Sequence, residues 1–310
     1  MNFRFLFQFG SKGSKKGQFR NPSGLCFGPN GLLYSSNNRN NCIQVFDQDG
    51  NFLSSFGSRG SKEGQFQYPS GLCFGPNGLL YVSDNMNHRI QVFDQNGHFH
   101  FQFGSLGSEE SQFLYPLGLC FGPNGLLYVS DSHNHRIQIF DQYGNYHSSF
   151  GSKGSEEGQF KYPSALCFGQ NGLLYVADTS NDRIQVFDQD GIFKFYFGSE
   201  GSKESQFKHP YGLYFDLNDL LYVCDVYNHC IQVFDQDGNY HSSFGSHGSE
   251  EGQFQYPHGL CFGPNNLLYI ADSSNQRVQV FQQKKHQSLY QILAFSLFET
   301  KNNKNKRKFY

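Results

Sequence analysis

Apolar and polar positions follow the same order six times along this chain. Each copy begins at a proline, and successive prolines lie 47 positions apart: Pro22, Pro69, Pro116, Pro163, Pro210 and Pro257. Within a copy, short apolar runs of strand length alternate with turns that contain Gly, Asn or Asp. A fixed period of this length with strand-type content predicts a β-propeller in which each copy forms one blade.

The second copy illustrates the strands that we expect in every blade. Apolar runs at residues 71–75, 79–82, 90–93 and 99–103 are separated by turns or polar connectors. The second run is apolar at every position, which is typical of a strand that is covered on both faces. The fourth run alternates, so we expect it at the outer edge of the blade. The Gly- and Ser-rich loop 104–116 must then return the chain to the axis.

A Gln-Phe pair precedes the proline in every copy. We predict that its phenylalanine is a buried plug between neighbouring blades. These residues are Phe19, Phe66, Phe113, Phe160, Phe207 and Phe254.

The two ends of the chain complement each other. Residues 3–9 alternate like the outer strand at residues 192–198, whereas the sixth copy stops after its third strand, at residues 278–281. We therefore expect residues 3–9 to pair beside residues 277–281, which closes the ring and leaves no exposed sheet edge.

The repeated wording P-x-G-L-C-F-x-x-x-G-L-L-Y-V-x-D-x-x-N-x-R-I-Q-V-F resembles the NHL repeat, the unit of six-bladed propellers in TRIM-NHL and related proteins. The resemblance covers residues 3–281. It implies an all-β fold, a six-bladed β-propeller of four-stranded antiparallel blades. The chain contains no Trp, so it lacks the W-D dipeptide of WD40 blades.

The repeat pattern divides the chain into two parts. We expect a single propeller domain at residues 1–283 and a tail at residues 284–310. The tail begins with an apolar segment, residues 289–298, that is too short to span a membrane. It ends in a basic, Asn-rich run at residues 301–308, for which we predict disorder. The alternating start of the chain is not typical of a signal peptide.

Cysteine usage favours a reducing, cytoplasmic location. Of eight cysteines, five share one repeat position: Cys26, Cys73, Cys120, Cys167 and Cys261. Because equivalent positions in different blades lie around the axis, we predict small buried apolar residues, each packed within its own blade, and no disulfide framework.

The D-x-x-N-x-R connectors contain a recurring acidic–basic pair. We predict that each pair pins its loop. The pairs are Asp84–Arg89, Asp131–Arg136, Asp178–Arg183 and Asp272–Arg277. The first copy has lost both partners, with Asn37 and Cys42 in their places. The fifth copy keeps Asp225 but has Cys230, so its loop is either looser or free to bind a ligand.

Tight turns should leave one face of the ring flat, and the longer connections should share the opposite face. We call this second face the long-loop face. Aromatic residues and histidines collect at its expected exposed positions, and they suit a protein or peptide interface. They are Tyr68, His88, Tyr115, His133, His135, Tyr162, His209, Tyr211, Tyr227, His229, Tyr256 and His258.

Single-stranded RNA is the alternative ligand, because some NHL propellers bind it on this face and unpaired bases stack on aromatic rings. Basic residues cluster near the first two blades: Lys12, Lys15, Lys16, Arg20, Arg39, Arg59 and Lys62. The corresponding loops elsewhere carry Glu109, Glu110, Glu156, Glu157, Glu250 and Glu251, and the formal net charge is −2. Charge therefore argues against strong phosphate binding.

Catalysis is the third hypothesis, because six-bladed propellers of this kind include metal-dependent lyases and lactonases. Such a site needs several ligands on the inner strands, and only Asp216 and His258 lie in or near them. We therefore predict that the chain is not an enzyme and has no catalytic residue, metal or cofactor. We expect a monomeric ring that scaffolds protein or peptide partners and does not bind membranes. No cysteine–histidine zinc pattern precedes the repeats, so any role in ubiquitin ligation would require another chain.

Overall fold

The structure is a computed structural model that describes residues 3–283. Six four-stranded antiparallel sheets form the blades of a propeller, which confirms the predicted fold. Blades one to six follow chain order, and each has an inner, a second, a third and an outer strand. The inner strands are Pro22–Phe27, Pro69–Phe74, Pro116–Phe121, Pro163–Phe168, Pro210–Phe215 and Pro257–Phe262. The second strands are Leu33–Asn37, Leu80–Asp84, Leu127–Asp131, Leu174–Asp178, Leu221–Asp225 and Leu268–Asp272.

The third and outer strands complete each blade. The third strands are Cys42–Phe46, Arg89–Phe93, Arg136–Phe140, Arg183–Phe187, Cys230–Phe234 and Arg277–Gln283. The outer strands of blades one to five are Phe52–Phe56, Phe99–Phe103, Tyr146–Phe150, Phe193–Phe197 and Tyr240–Phe244. The chain-terminal strand Phe3–Phe9 is the outer strand of blade six.

Pairing between the chain ends closes the ring, as predicted. Phe5 lies opposite Phe281 and Phe9 lies opposite Val278 in an antiparallel ladder. The missing strand of blade six is thereby supplied, and its third strand is not left as an unpaired edge.

The core lies between neighbouring blades. All six second strands are buried along their whole length, as their continuous apolar sequence predicts. The Gln-Phe residues are confirmed as plugs: all six are fully buried. Phe66, for example, packs with Ile43 and Val45 of blade one and with Leu72 and Leu80 of blade two. Each blade therefore depends on its neighbour for much of its apolar contact.

Inner strands approach each other closely around the axis. A side chain at Gly71 would collide with the carbonyl oxygen of Leu117 in the next blade. Glycine occupies the equivalent position in five blades, and Ala165 occupies it in blade four. The glycine of the repeated G-L-C-F motif is therefore required by the close packing of neighbouring inner strands.

The connectors are more ordered than their polar sequence indicates. In the first four blades, the D-x-x-N segment forms a 3-10 turn: Asn38–Asn40, Asn85–Asn87, Ser132–Asn134 and Thr179–Asn181. Short parallel pairings also tie the loops after the outer strands of blades two and four: Ser105–Leu106 with Gln112–Phe113, and Ser199–Glu200 with Gln206–Phe207. The predicted tail, residues 284–310, lies outside the described residues.

Candidate functional site on the long-loop face

The residue before each recurring proline ties two blades together at the long-loop face. The backbone N–H of Tyr115 donates to His88 Nδ1 of the preceding blade, and Tyr162 donates to His135 Nδ1, both at 3.2 Å. Tyr256 and His229 repeat this contact at 3.2 Å. The prolines are preceded by Asn21, Tyr68, Tyr115, Tyr162, His209 and Tyr256, all with positive φ. Backbone and side chains at this rim are therefore held in defined positions.

The three histidines that accept these hydrogen bonds do so in their neutral form. A ring nitrogen that accepts an N–H cannot itself carry a proton, so Nδ1 of His88, His135 and His229 must be unprotonated. Burial lowers the pKa of each of the three imidazoles, which favours the same state.

Nine of the twelve predicted tyrosines and histidines form two clusters around the rim. The first, which we call the aromatic arc, consists of His88, Tyr115, His133, His135 and Tyr162. The Tyr115 ring lies 4.8 Å from His88 and 4.5 Å from His133. The Tyr162 ring lies 4.9 Å from His133 and 4.7 Å from His135, measured between centroids. Blades two to four thus present one continuous run of rings.

The second cluster belongs to blades five and six and consists of His209, Tyr227, His229, His247 and Tyr256. Tyr227 lies 4.7 Å from His209 and 5.4 Å from Tyr256. His229 lies 4.8 Å from Tyr256 and 4.6 Å from His247. His247 was not predicted. It occupies the loop position that holds Lys12 and Arg59 in blades one and two, so its departure from the repeat was the available clue.

Exposure differs among the predicted face residues. Tyr68, Tyr162 and Tyr227 are 37%, 41% and 50% exposed. His135 is only 7% exposed, so the expectation that it is an exposed contact residue was wrong. Its ring is covered because it accepts the Tyr162 N–H and packs against the Tyr162 ring.

Tyr211 and His258 lie in the channel and not on the outer face. The residue after the proline is Ser in blades one, two and four, but Tyr211 and His258 in blades five and six. Their rings stack at 4.8 Å, and the Tyr211 hydroxyl reaches the side chains of Ser70 and Ser23 across the channel. Both line an outer cavity of about 280 Å³ and an inner cavity of about 310 Å³, so they stand between the two.

The inner cavity is apolar, and thiols line much of its wall. Cys26, Cys73, Cys120 and Cys167 are among its lining residues. Each also packs against an apolar cluster that contains residues of the next blade, which corrects the prediction that each cysteine packs within its own blade. Burial raises the pKa of all four thiols, which keeps them neutral. All eight cysteines lie within residues 3–283, where none forms a disulfide.

The channel brings together few of the groups that a metal requires. Burial lowers the pKa of His258 to about 4. Asp216 does not line the inner cavity. Its carboxylate instead accepts the N–H of Asn218 and of Leu220 and faces the Tyr222 hydroxyl at 3.2 Å. In the part of the chain that the structure describes, no group of three or more His, Cys, Asp or Glu side chains could hold a metal ion.

The four predicted Asp–Arg pairs are present, with Nε–Oδ2 distances of 2.7–2.8 Å. In blade two, Asp84 Oδ2 also accepts from Asn87 and Gln91. Arg89 in turn donates to the backbone carbonyls of Lys62 and Gln65. The glutamine at the Gln91 position was not predicted to belong to the network, although this glutamine recurs in every copy. Each network therefore anchors both the connector and the loop that enters the blade.

The basic sector is exposed as predicted. All seven of its lysines and arginines are exposed, and none forms an ion pair with another residue of segment 3–283. Arg39 and Arg20 are neighbours, because the Arg39 N–H donates to the Arg20 carbonyl at 3.1 Å. The glutamates of blades three, four and six are also exposed, so the charge of the loops is segregated around the ring.

Comparison with known families identifies the repeat. A model described as "NHL repeat" matches six segments: 19–46, 66–93, 113–140, 160–187, 207–234 and 254–281. Tripartite motif-containing protein 2 of Bos taurus and of Homo sapiens is 38% identical over 47 residues. That match covers 15% of this chain and 6% of those relatives' length.

Solved propellers share the fold over most of the chain. Virginiamycin B lyase from Staphylococcus aureus is 15% identical, with a TM-score of 0.61 over 91% of this chain and 100% of that chain. A gluconolactonase from Xanthomonas campestris is 15% identical, with a TM-score of 0.64 over 86% and 88%. An auxiliary nutrient binding protein from Bacteroides ovatus is 16% identical, with a TM-score of 0.68 over 92% and 77%.

These structures correct the prediction that the chain is not an enzyme. Proteins named as a lyase and a gluconolactonase have the same ring, so the architecture does not separate binding proteins from enzymes. Within residues 3–283, no helix has the length and apolar character needed to cross a bilayer.

Proposed function

The chain belongs to the NHL-repeat family, and on that premise we propose that it recognises a protein or peptide partner through the long-loop face of its propeller. The observation that carries this proposal is the pair of aromatic clusters around the rim. Tyr and His rings present apolar faces and polar edges together, which is the composition of protein-binding hot spots.

The backbone of the clusters is also held in place by hydrogen bonds. The N–H groups of Tyr115, Tyr162 and Tyr256 donate to His88, His135 and His229, and the Tyr227 N–H donates to the Lys208 carbonyl. A preorganised surface loses little side-chain and backbone entropy on association, which favours affinity. The Tyr227 ring is the best single anchor, because it is 50% exposed and packs edge-on against both His209 and Tyr256.

The test begins with capture of partners by the full chain, with and without ribonuclease. Capture that survives ribonuclease indicates a protein partner. The affinity of that partner should fall about tenfold or more on Tyr227→Ala, the loss typical of a hot-spot aromatic. Tyr143→Ala is the matched control, because Tyr143 is 68% exposed in a tight turn on the opposite face. Equal affinities of the two variants would remove the second cluster from the interface.

Single-stranded RNA is a second candidate, favoured by the exposed basic sector of blades one and two. Free lysines and arginines beside Tyr68 could contact phosphates while the ring stacks on a base. Ribonuclease-sensitive capture that weakens steeply with salt, and that is lost on Arg20→Ala with Arg39→Ala, would support this candidate. Capture independent of salt and of both arginines would contradict it.

A narrower form of the protein-binding proposal is substrate recognition for a separate ubiquitin ligase. The NHL-repeat resemblance supports it, and it predicts that ubiquitin-ligase activity co-purifies with the captured partner. We also propose a reducing, cytoplasmic location, which the eight unpaired thiols support.

A further inference from the structure

Four blades contain an internal guanidinium site. In blade three, Arg136 Nε lies 2.8 Å from Asp131 Oδ2. One terminal nitrogen of Arg136 donates to the carbonyls of Glu109 and Gln112, at 2.7 and 3.0 Å. Blades two, four and six repeat the arrangement with their own residues. A carboxylate and two carbonyls thus surround a planar cation from different directions.

Blade five retains the acceptors of this site but lacks the arginine. Asp225 is fully buried, and Cys230 takes the arginine position. The carboxylate accepts from Lys208 N, Asn228 Nδ2 and Gln232 Nε2, each at 2.8 Å. All three donors are neutral amides, and Asp225 forms no ion pair with any described residue. A buried negative charge without a cation is costly.

An unpartnered amide oxygen marks the same place. Gln232 is 3% exposed, and its Oε1 has no hydrogen-bond partner within residues 3–283. In the four blades that have the arginine, the equivalent oxygen accepts a loop N–H at 2.9–3.1 Å. In blade one, which also lacks the arginine, Gln44 Oε1 is likewise unpartnered. The hydrogen bond between the entering loop and this glutamine is therefore present in the blades that have the arginine and missing in the two that lack it.

We propose that blade five contains a binding site for an external guanidinium group. The ligand would contact Asp225 Oδ2 and the carbonyls of Lys203 and Gln206, and its binding would let the entering loop close onto Gln232 Oε1, as the loops do in the blades that have the arginine. A guanidinium presents five N–H donors in a plane, which matches acceptors on several sides better than a compact ammonium does. Cys230 is partly exposed, so the position communicates with solvent. Burial, and secondarily Asp225, raises the pKa of the Cys230 thiol to about 12, so the thiol adds no charge.

Blades one and five both lack the arginine, but only blade five keeps the charge that the proposed site needs. In blade one, the Asp is replaced by Asn37, whose Nδ2 donates to the Gln18 carbonyl at 2.9 Å. The buried group is neutral and supplies one of the donors that the arginine would supply. No charge remains in blade one to attract a cation, so the proposed site does not recur beside Cys42. The proposed site in blade five does not depend on whether the long-loop face binds a protein.

Blade three is the matched comparison for blade five. The outer strands Tyr146–Phe150 and Tyr240–Phe244 have the same sequence, YHSSF. The strand that flanks the guanidinium position is therefore identical in the two blades.

The test is thermal unfolding of the full chain in guanidinium chloride up to about 20 mM, well below denaturing concentrations, against NaCl of equal ionic strength. We expect a saturable rise in the unfolding temperature of the wild type. Cys230→Arg should unfold at a higher temperature without ligand and should show no saturable rise, because its own guanidinium fills the site. Equal responses of the wild type and Cys230→Arg would overturn the proposal.

Two further variants check the origin of the response. Arg136→Cys should add a second saturable site in blade three, with a larger total response than the wild type. Asp225→Asn should weaken the binding of guanidinium about tenfold or more, because a charge-assisted contact is lost. An unaltered response of Asp225→Asn would also overturn the proposal.

The source of the guanidinium is distinguished by a second ligand pair. N-acetyl-arginine amide and the uncharged citrulline counterpart are compared in the same assay. A response to the arginine compound but not to citrulline supports docking of an arginine side chain from a partner. A response to free guanidinium alone supports a site that admits only the small ion.

Discussion

The buried Asp84–Arg89 pair of blade two allows a double-mutant test of the network that anchors each blade. Arg89→Cys leaves the fully buried Asp84 carboxylate without its cation. Asp84→Asn leaves the guanidinium, whose side chain is 8% exposed, without its anion. The double variant recreates the neutral Asn37 and Cys42 combination that blade one already contains.

The expected magnitudes follow from the contacts. Removal of one partner of a buried, hydrogen-bonded ion pair costs about 3–5 kcal/mol of unfolding free energy. Arg89 also donates to the carbonyls of Lys62 and Gln65 and to Gln102 Oε1, so its removal costs the larger amount. In the double variant, the asparagine amide can replace a donor to Gln65, as Asn37 does for Gln18. We therefore expect a double-variant cost of about 2–3 kcal/mol, less than either single change.

Urea denaturation gives the free energy of unfolding of the wild type, the two single variants and the double variant. The transition is followed by far-ultraviolet circular dichroism, because the chain contains no Trp. Matching slopes of the transitions would validate the comparison. If the costs of the two single changes add up to the cost of the double change, Asp84 and Arg89 do not stabilise each other, and the account of the network is wrong. The same account predicts that Cys230→Arg stabilises the protein.

Two other predictions concern pH and ring closure. Folding lowers the pKa of His88, His135 and His229 below the ordinary 6.5, so the unfolded chain binds more protons than the folded chain as the pH falls. The contribution of these histidines to folding stability is therefore fully present above pH 6.5. It is lost as the pH falls from 6.5 through the lower pKa values of the folded state. Replacement of all three by asparagine should reduce the loss of thermal stability between pH 7 and pH 5 without abolishing it, because burial also lowers the pKa of His258, to about 4, and that histidine remains. An unchanged slope would contradict this. Deletion of strand Phe3–Phe9 should expose Arg277–Gln283 as an unpaired edge and cause association, detectable by light scattering, whereas a stable monomer would show that closure does not depend on this strand.

Features that follow from the repeated pattern were accessible from the sequence. Strand positions, the buried Phe plugs, the Asp–Arg pairs and the closing role of residues 3–9 all follow from local patterns repeated at a constant spacing. Local turn chemistry and apolar alternation act within a blade, so repetition makes them visible.

The particular side chains that meet where blades and loops pack together required the tertiary structure. The sequence did not reveal that His135 is buried because it accepts the Tyr162 N–H, or that His247 joins the second cluster. Cys26, Cys73, Cys120 and Cys167 pack against apolar clusters that contain residues of the next blade, and Gln232 is left with an unpartnered oxygen. Each of these facts depends on residues from different strands, loops or blades meeting across a packed interface. Sequence alone determined which modules this protein is built from, and the lateral packing of those modules decided which side chains share a site.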